Sequence, residues 1–484
     1  MTAHSPCGSR PRANTGSRRQ ANSRGWRALL LAAVYVLPLV LLVGCVGTVI
    51  PAERAARDEL AAVADRFRPD EAKPGLPTLT PSSGLGDYLR FAILNSPRVE
   101  AAYQEWAASI ERITTARSLP DLRLTFQVDI ADMIMSTMAG LMVELPGPGK
   151  RRAAGGVAAE ASRVRYHAFE MEVLRTAFAV KRVYYRLQFL EDDLRLQREM
   201  FSLLGAFEVQ AQQQQAAGRA SLQDVLRVQI EQEWLRNRIT DLEDSRGTLV
   251  AELKAVLGLE AGAAAPPVPA AFTPSEAPLD QAEILELAAR RNPRIRQLAA
   301  EVGRAQAQLE LARQARVPDF NAGLEVDFKA NPVMWSPMAG LTLPIWRDKT
   351  AAGIAGAQAE TRAAAARLSQ AEIELAAELA GLLYQYRTSA RAMDLLEARL
   401  LPKGRQALEA ARAGYANAQS GFADVIAGYR QLLDFERTFL EARTSRELTL
   451  ASLSLLIAGT PPPGSPLPPA DGPSGSDSST KSAP

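Results

Sequence analysis

Cysteine and histidine are almost missing from this 484-residue chain, with two of each: Cys7, Cys45, His4 and His167. So few thiols exclude a disulfide-stapled scaffold. Aromatics are scarce at 6%. No Gly-Lys-Ser/Thr phosphate loop occurs, and Gly-Pro-Gly-Lys at 147–150 lacks both the spacing and the following hydroxyl of one. His167 has nothing near it in sequence that would complete a metal site and is expected to be a solvated helix residue. Gly155-Gly156 is expected to serve close packing, and Asp192-Asp193 to be ordinary helix charges. Together these absences point away from an enzyme, and no cofactor or metal site is expected.

The N-terminal 44 residues hold six arginines and no acid, then an apolar run from Ala28 to Val43 that is short for a membrane helix. This is the outline of a signal peptide. Leu42-Val43-Gly44-Cys45 resembles a bacterial lipobox, which makes Cys45 the expected lipidation site and first mature residue. Removing six arginines from 56 basic residues leaves 50 against 54 acids, a mature charge near −4, so the basic balance of +2 belongs to the leader and implies no nucleic-acid partner.

The remainder is written twice. Pro318 follows Pro120 by 198 residues, Pro344 follows Pro146 by 198, and Asp424 follows Asp224 by 200. Each half opens at a polar turn (Asn95-Ser96-Pro97, Arg291-Asn292-Pro293) and runs helically to a Pro-Asp break. Two short segments follow, then a long helix that turns back near Asp224 or Asp424. Such spacing marks an internal duplication. It divides the chain into a leader at 1–44, an N-terminal arm at 45–86, a first repeat at 87–260, a linker at 261–278, a second repeat at 279–459 and a Pro/Ser/Gly-rich tail at 460–484. The proline-free run from Gly149 to Ala217 predicts a helix on the order of 100 Å long. Its counterpart is interrupted by Pro402, which should kink it or end a segment near Ala398. The return helices are half that length, and each could be completed by stacking end to end with the helix that opens its own half.

The short segments alternate. Leu122, Leu124, Phe126 and Val128 interleave with Arg123, Thr125, Gln127 and Asp129, and Phe320, Ala322, Leu324 and Val326 interleave with Asn321, Gly323, Glu325 and Asp327. A second strand in each half is expected around Leu141–Leu145 and Ala339–Leu343. Strands of about nine residues with one apolar and one polar face fit a transmembrane β-barrel. Four strands cannot close one, and lipid does not tolerate open edges, so the chain must oligomerise. Six of the ten methionines (Met133, Met135, Met138, Met142, Met334, Met338) fall in these hairpins. Thioethers can hold soft cations, but flexible apolar filling at a loop and lipid boundary is the expected role.

The Pro120 and Pro318 breaks, the Leu145-Pro146-Gly147-Pro148-Gly149-Lys150 stretch, Leu401-Pro402 and the Ala413-Gly414-Tyr415 to Asp424-Val425 tip resemble the TolC family of outer-membrane efflux channels over about residues 87–459. Leu-Pro-x-x-Gly-Lys and the Leu-Pro kink are similar to branches that serve heavy-metal efflux pumps. The resemblance implies a mainly α fold with transmembrane β: a duplicated protomer of a trimeric 12-stranded β-barrel joined to a long α-helical periplasmic barrel. It implies a passive, lipid-anchored exit duct in the outer membrane of a Gram-negative bacterium. Its partners would be a periplasmic adaptor and an inner-membrane pump, docked at the tips bearing Gly218, Ser221, Asp224, Ala418 and Gly421. Asp424 matches an acidic ring that narrows the entrance, where three carboxylates favour cations, and Tyr415 matches a gate tyrosine. Ser420 and Ala427 stand where the family has its gate arginine and second acid, so a complete latch is not implied. Asp424 could equally be a helix-capping residue. The rival reading is a periplasmic adaptor or helical-hairpin lipoprotein without a barrel.

Overall fold

The computed structural model describes residues 49–69, 72–130, 134–268, 281–330, 332–417, 419–457 and 466–467. Apart from Val49 these lie in one unit, Ile50–Pro484. The expected leader and Cys45 are outside the described residues, as are Ala418, most of the expected tail and the expected linker from 269 onward.

An arm helix α1 (Pro51–Phe67) is followed by α2 (Leu85–Asn95) and α3 (Pro97–Arg117), strands β1 (Arg123–Ile130) and β2 (Ile134–Leu145), and helices α4 (Lys150–Ala216) and α5 (Leu222–Val256). The second half repeats the order with α6 (Gln281–Arg291), α7 (Pro293–Gln314), β3 (Asp319–Asp327), β4 (Met334–Thr342), α8 (Arg347–Leu395), α9 (Leu401–Ala416) and α10 (Phe422–Ile457). Helix α4 runs 67 residues without a break. Between α8 and α9 a single π turn, Leu396–Leu400, precedes Pro402, so the ring meets a widened turn instead of a regular ladder of bonds to residue i−4.

The duplicated asparagines splice the columns. Asn95 Nδ2 donates to the carbonyls of Leu257 and Gly258 at 2.9 and 3.1 Å, just past the end of α5. Asn292 Nδ2 donates to Leu456 O at 2.9 Å near the end of α10, while its Oδ1 accepts from the first amides of α7. Each return helix thus ends against the start of its half's helical run, and orphan carbonyls find partners there. Gly258 makes the first splice possible: its φ is +69°, and a Cβ there would stand 2.7 Å from Asn95 O.

Helix α4 is the common wall, packing against α2, α3, α5, α7 and α10. One apolar cluster joins α2, α4 and α5 through Tyr88, Val180, Tyr184, Leu187 and Leu249. A second gathers both helical tips, with Leu204, Phe207 and Val228 of the first half meeting Tyr415, Phe422 and Tyr429 of the second. A third holds the arm: Phe67 contacts Tyr103 and Phe169, and Trp106 stacks on Phe169 at 5.8 Å.

Candidate functional site

All four strands form one antiparallel sheet in the order β1-β2-β3-β4, so β2 of the first half pairs with β3 of the second. Strand β2 is longer than the alternation suggested, because Ser136, Thr137 and Ala139 carry too little apolar contrast to mark its start. The register sorts the side chains into two faces. Leu124, Phe126 and Val128 align with Ala139, Leu141, Val143 and Leu145, then with Phe320, Ala322, Leu324 and Val326, then with Trp335, Pro337, Ala339 and Leu341. This face is apolar across the sheet and open, with Phe126 at 72% and Trp335 at 63% exposure. The opposite face carries Arg123, Thr125, Gln127, Asp129, Glu144, Asn321, Glu325 and Asp327. Among the described residues β1 and β4 each have one strand partner, leaving two open edges.

Four of the six hairpin methionines lie on the polar face and not on the apolar one. Met138, Met142, Met334 and Met338 sit in register with Gln127, Arg123, Asp327 and Gly323, on the polar face. Strand parity, which places them opposite the leucines, is the reason. Met133 lies outside the described residues.

The junction of sheet and helices is fixed by the Leu-Pro-Gly-Pro-Gly-Lys stretch. Lys150 Nζ donates to both carboxylate oxygens of Asp319 at 2.8 Å, and Gly147 N donates to Asp319 Oδ1 at 2.8 Å. A Cβ at Gly147 would fall 2.2 Å from Pro318 O, so only glycine permits this approach. The lysine of the apparent phosphate-loop fragment thus clasps the second repeat.

At the tips, Asp224 Oδ2 accepts from Ser221 N and Oγ at 3.1 and 3.0 Å. Asp424 Oδ2 accepts from Gly421 N at 3.1 Å and the residue is exposed. Both acids therefore do the same capping work. Tyr415 is buried, its ring 5.1 Å edge-on to Phe422, and burial with the nearby Asp224 charge pushes its hydroxyl pKa up. Ser420 Oγ donates to Ala411 O at 3.1 Å, and Gly218 takes a positive φ of 71° in the first tip. Leu222, Leu226, Ile230 and Trp234 form an exposed stripe at four-residue spacing on α5.

His167 is not solvated: its side chain is 14% exposed and Nδ1 lies 2.6 Å from Glu170 Oε2, while Arg296 of the second half donates to Glu170 Oε1 at 3.1 Å. The His167–Glu170 spacing of three on one helix was open to view in the sequence, whereas Arg296 arrives from the other repeat and had no local sign. Among the described residues no group of three or more His, Cys, Asp or Glu side chains forms a metal cradle, and no helix is long and apolar enough to cross a membrane. Gly155 is tightly packed against Ile50 and Arg117, whereas Gly156 is open.

Comparison with known proteins adds to this geometry. Residues 284–459 match the outer membrane efflux protein family. The likeness to solved channels of this fold extends into the first repeat. CusC superposes with a TM-score of 0.68 at 16% identity, covering 79% of this chain and 94% of that one. VceC from Vibrio cholerae gives 0.66 at 15%, covering 78% and 96%, and the open-state MtrE outer membrane channel of Neisseria gonorrhoeae gives 0.66 at 17%, covering 80% and 96%. No curated protein sequence matches the chain. The efflux-protein fold accounts for the mostly helical chain, the duplicated order and the single shared sheet.

Proposed function

We propose that this protein is the outer-membrane exit duct of a tripartite efflux or secretion system, a passive homotrimeric channel anchored by a lipid on Cys45. The observation that carries the reading is the sheet: an apolar face open across four strands, with unpaired edges on β1 and β4. In water such a face would drive aggregation. In a bilayer it suits lipid, and strands of 8 to 12 residues match the hydrocarbon thickness. Edges in lipid require closure with further copies, and three copies give twelve strands. The exposed α5 stripe supplies a second surface for assembly. A helical-hairpin lipoprotein without a barrel would leave the sheet with no role.

In this reading Asp424 rings the periplasmic entrance, its free oxygen available to cations while the other caps α10. Tyr415 braces the tip behind it. The tips around Gly218, Ser221, Asp224, Ala418 and Gly421 meet a periplasmic adaptor that leads to an inner-membrane pump. Metal ions are the proposed cargo class, on the resemblance of the Leu-Pro-x-x-Gly-Lys stretch to heavy-metal branches. Detergent extraction of outer membranes should yield heat-resistant trimers that form conducting channels in planar bilayers. A monomer in the soluble periplasmic fraction without conductance would refute the reading.

A further inference from the structure

The polar face of the sheet holds four methionines in two register rows. Arg123, Met142, Gly323 and Met338 form one row across β1 to β4, and Gln127, Met138, Asp327 and Met334 form another. In each row two methionines flank one residue of β3. Apolar filling does not explain this placement, because every direct cross-strand neighbour of Met142 and Met338 on this face is Arg123 or Gly323. Leucines and valines needed for apolar work are on the other side.

We infer that Met142 and Met338, facing each other across Gly323, form a two-thioether site that takes a soft monovalent cation, Cu(I) or Ag(I), on its way through the barrel. The inference rests on the channel reading, which turns this face toward water. Strands lie about 4.8 Å apart, so the two methionine backbones are separated by about 10 Å, with no side chain between them. Met338 already leans into the gap: its terminal methyl carbon is 3.6 Å from where a Cβ on Gly323 would stand. Two unbranched side chains reaching inward from both sides can meet above the glycine, and two sulfurs suit a linear d¹⁰ cation while offering little to Na⁺ or Mg²⁺. The acids Glu144, Glu325 and Asp327 on the same face enrich cations nearby, and Arg123 is drawn toward Glu144 at 3.3 Å.

The test uses the purified full-length trimer and Ag⁺ as nitrate. Calorimetry should show Ag⁺ binding to wild-type protein, weakened at least tenfold by Met142→Leu with Met338→Leu and unchanged by Met171→Leu with Met393→Leu on the long helices. In planar bilayers, Ag⁺ should lower wild-type conductance and spare the Met142→Leu/Met338→Leu channel, whose conductance without Ag⁺ should equal the wild type's. Equal Ag⁺ binding by wild type and this variant overturns the site. Lack of conductance in any protein overturns the channel reading instead, and the calorimetric comparison still decides the site.

Discussion

Replacing Glu53 by glutamine removes one charge and nearly nothing else, and the arm helix should come loose. Glu53 is 1% exposed in the first turn of α1 and faces α3. It accepts from the Arg117 guanidinium through both oxygens, from Thr114 Oγ1 at 2.7 Å and from Arg57 Nε at 3.4 Å. Hydrogen bonding to Arg117 is the main reason its pKa falls from 4.5 to about 2, with burial opposing and Thr114 assisting. A depression of that size corresponds to about 3 kcal/mol of stabilisation by the charged form. Because the folded pKa is the lower one, this stabilisation is complete above pH 4.5 and fades as pH falls toward 2. Hydrogen exchange of residues 51–67 reads it directly, since local opening of α1 needs no global unfolding. Glu53→Gln should speed exchange there about a hundredfold at neutral pH, and the variant's rates, corrected for intrinsic exchange, should be flat between pH 4.5 and 2 where the wild type's rise. Glu111→Gln, which breaks the more exposed pair with Arg57, should cost under about 1 kcal/mol. If Glu53→Gln exchanges within threefold of wild type, the clasp is not what holds the arm.

Asp424→Ala should raise single-channel conductance and weaken cation selectivity in bilayers, while Asp224→Ala should do so much less. Identical behaviour of the two would leave both acids as caps only. Gly258→Ala forces a side chain into left-handed backbone and against Asn95 O, so it should cost about 1–3 kcal/mol in thermal or denaturant unfolding, whereas Gly262→Ala, with open space around it, should be nearly neutral. If the proposed channel is right, Cys45→Ala should lose acylation and still trimerise, because the proposed barrel would hold the protein in the membrane without the lipid. Mass spectrometry finding an unmodified Cys45 in the mature wild type would refute the anchor.

By itself the sequence determined the duplication, the proline breaks, the helix lengths and the alternation of β1 and β3, because each depends on local periodicity or on a residue type with one dominant effect. Pro402 could be placed at a helix defect for that reason, and Asn292 at a helix start. What only the tertiary structure decided depends on partners far away in the chain. Lys150 meets Asp319 and Arg296 meets Glu170 across the two repeats, so neither pair has a local signature. The buried Glu53 has no local signature either, since its partner Arg117 is carried by α3. The methionines show the same division: alternation along β2 already set Met142 opposite Leu141 and Val143, but which methionines stand in one row was fixed only when β2 and β4 settled into register with β3. A shift of one residue would have turned all four toward the other side.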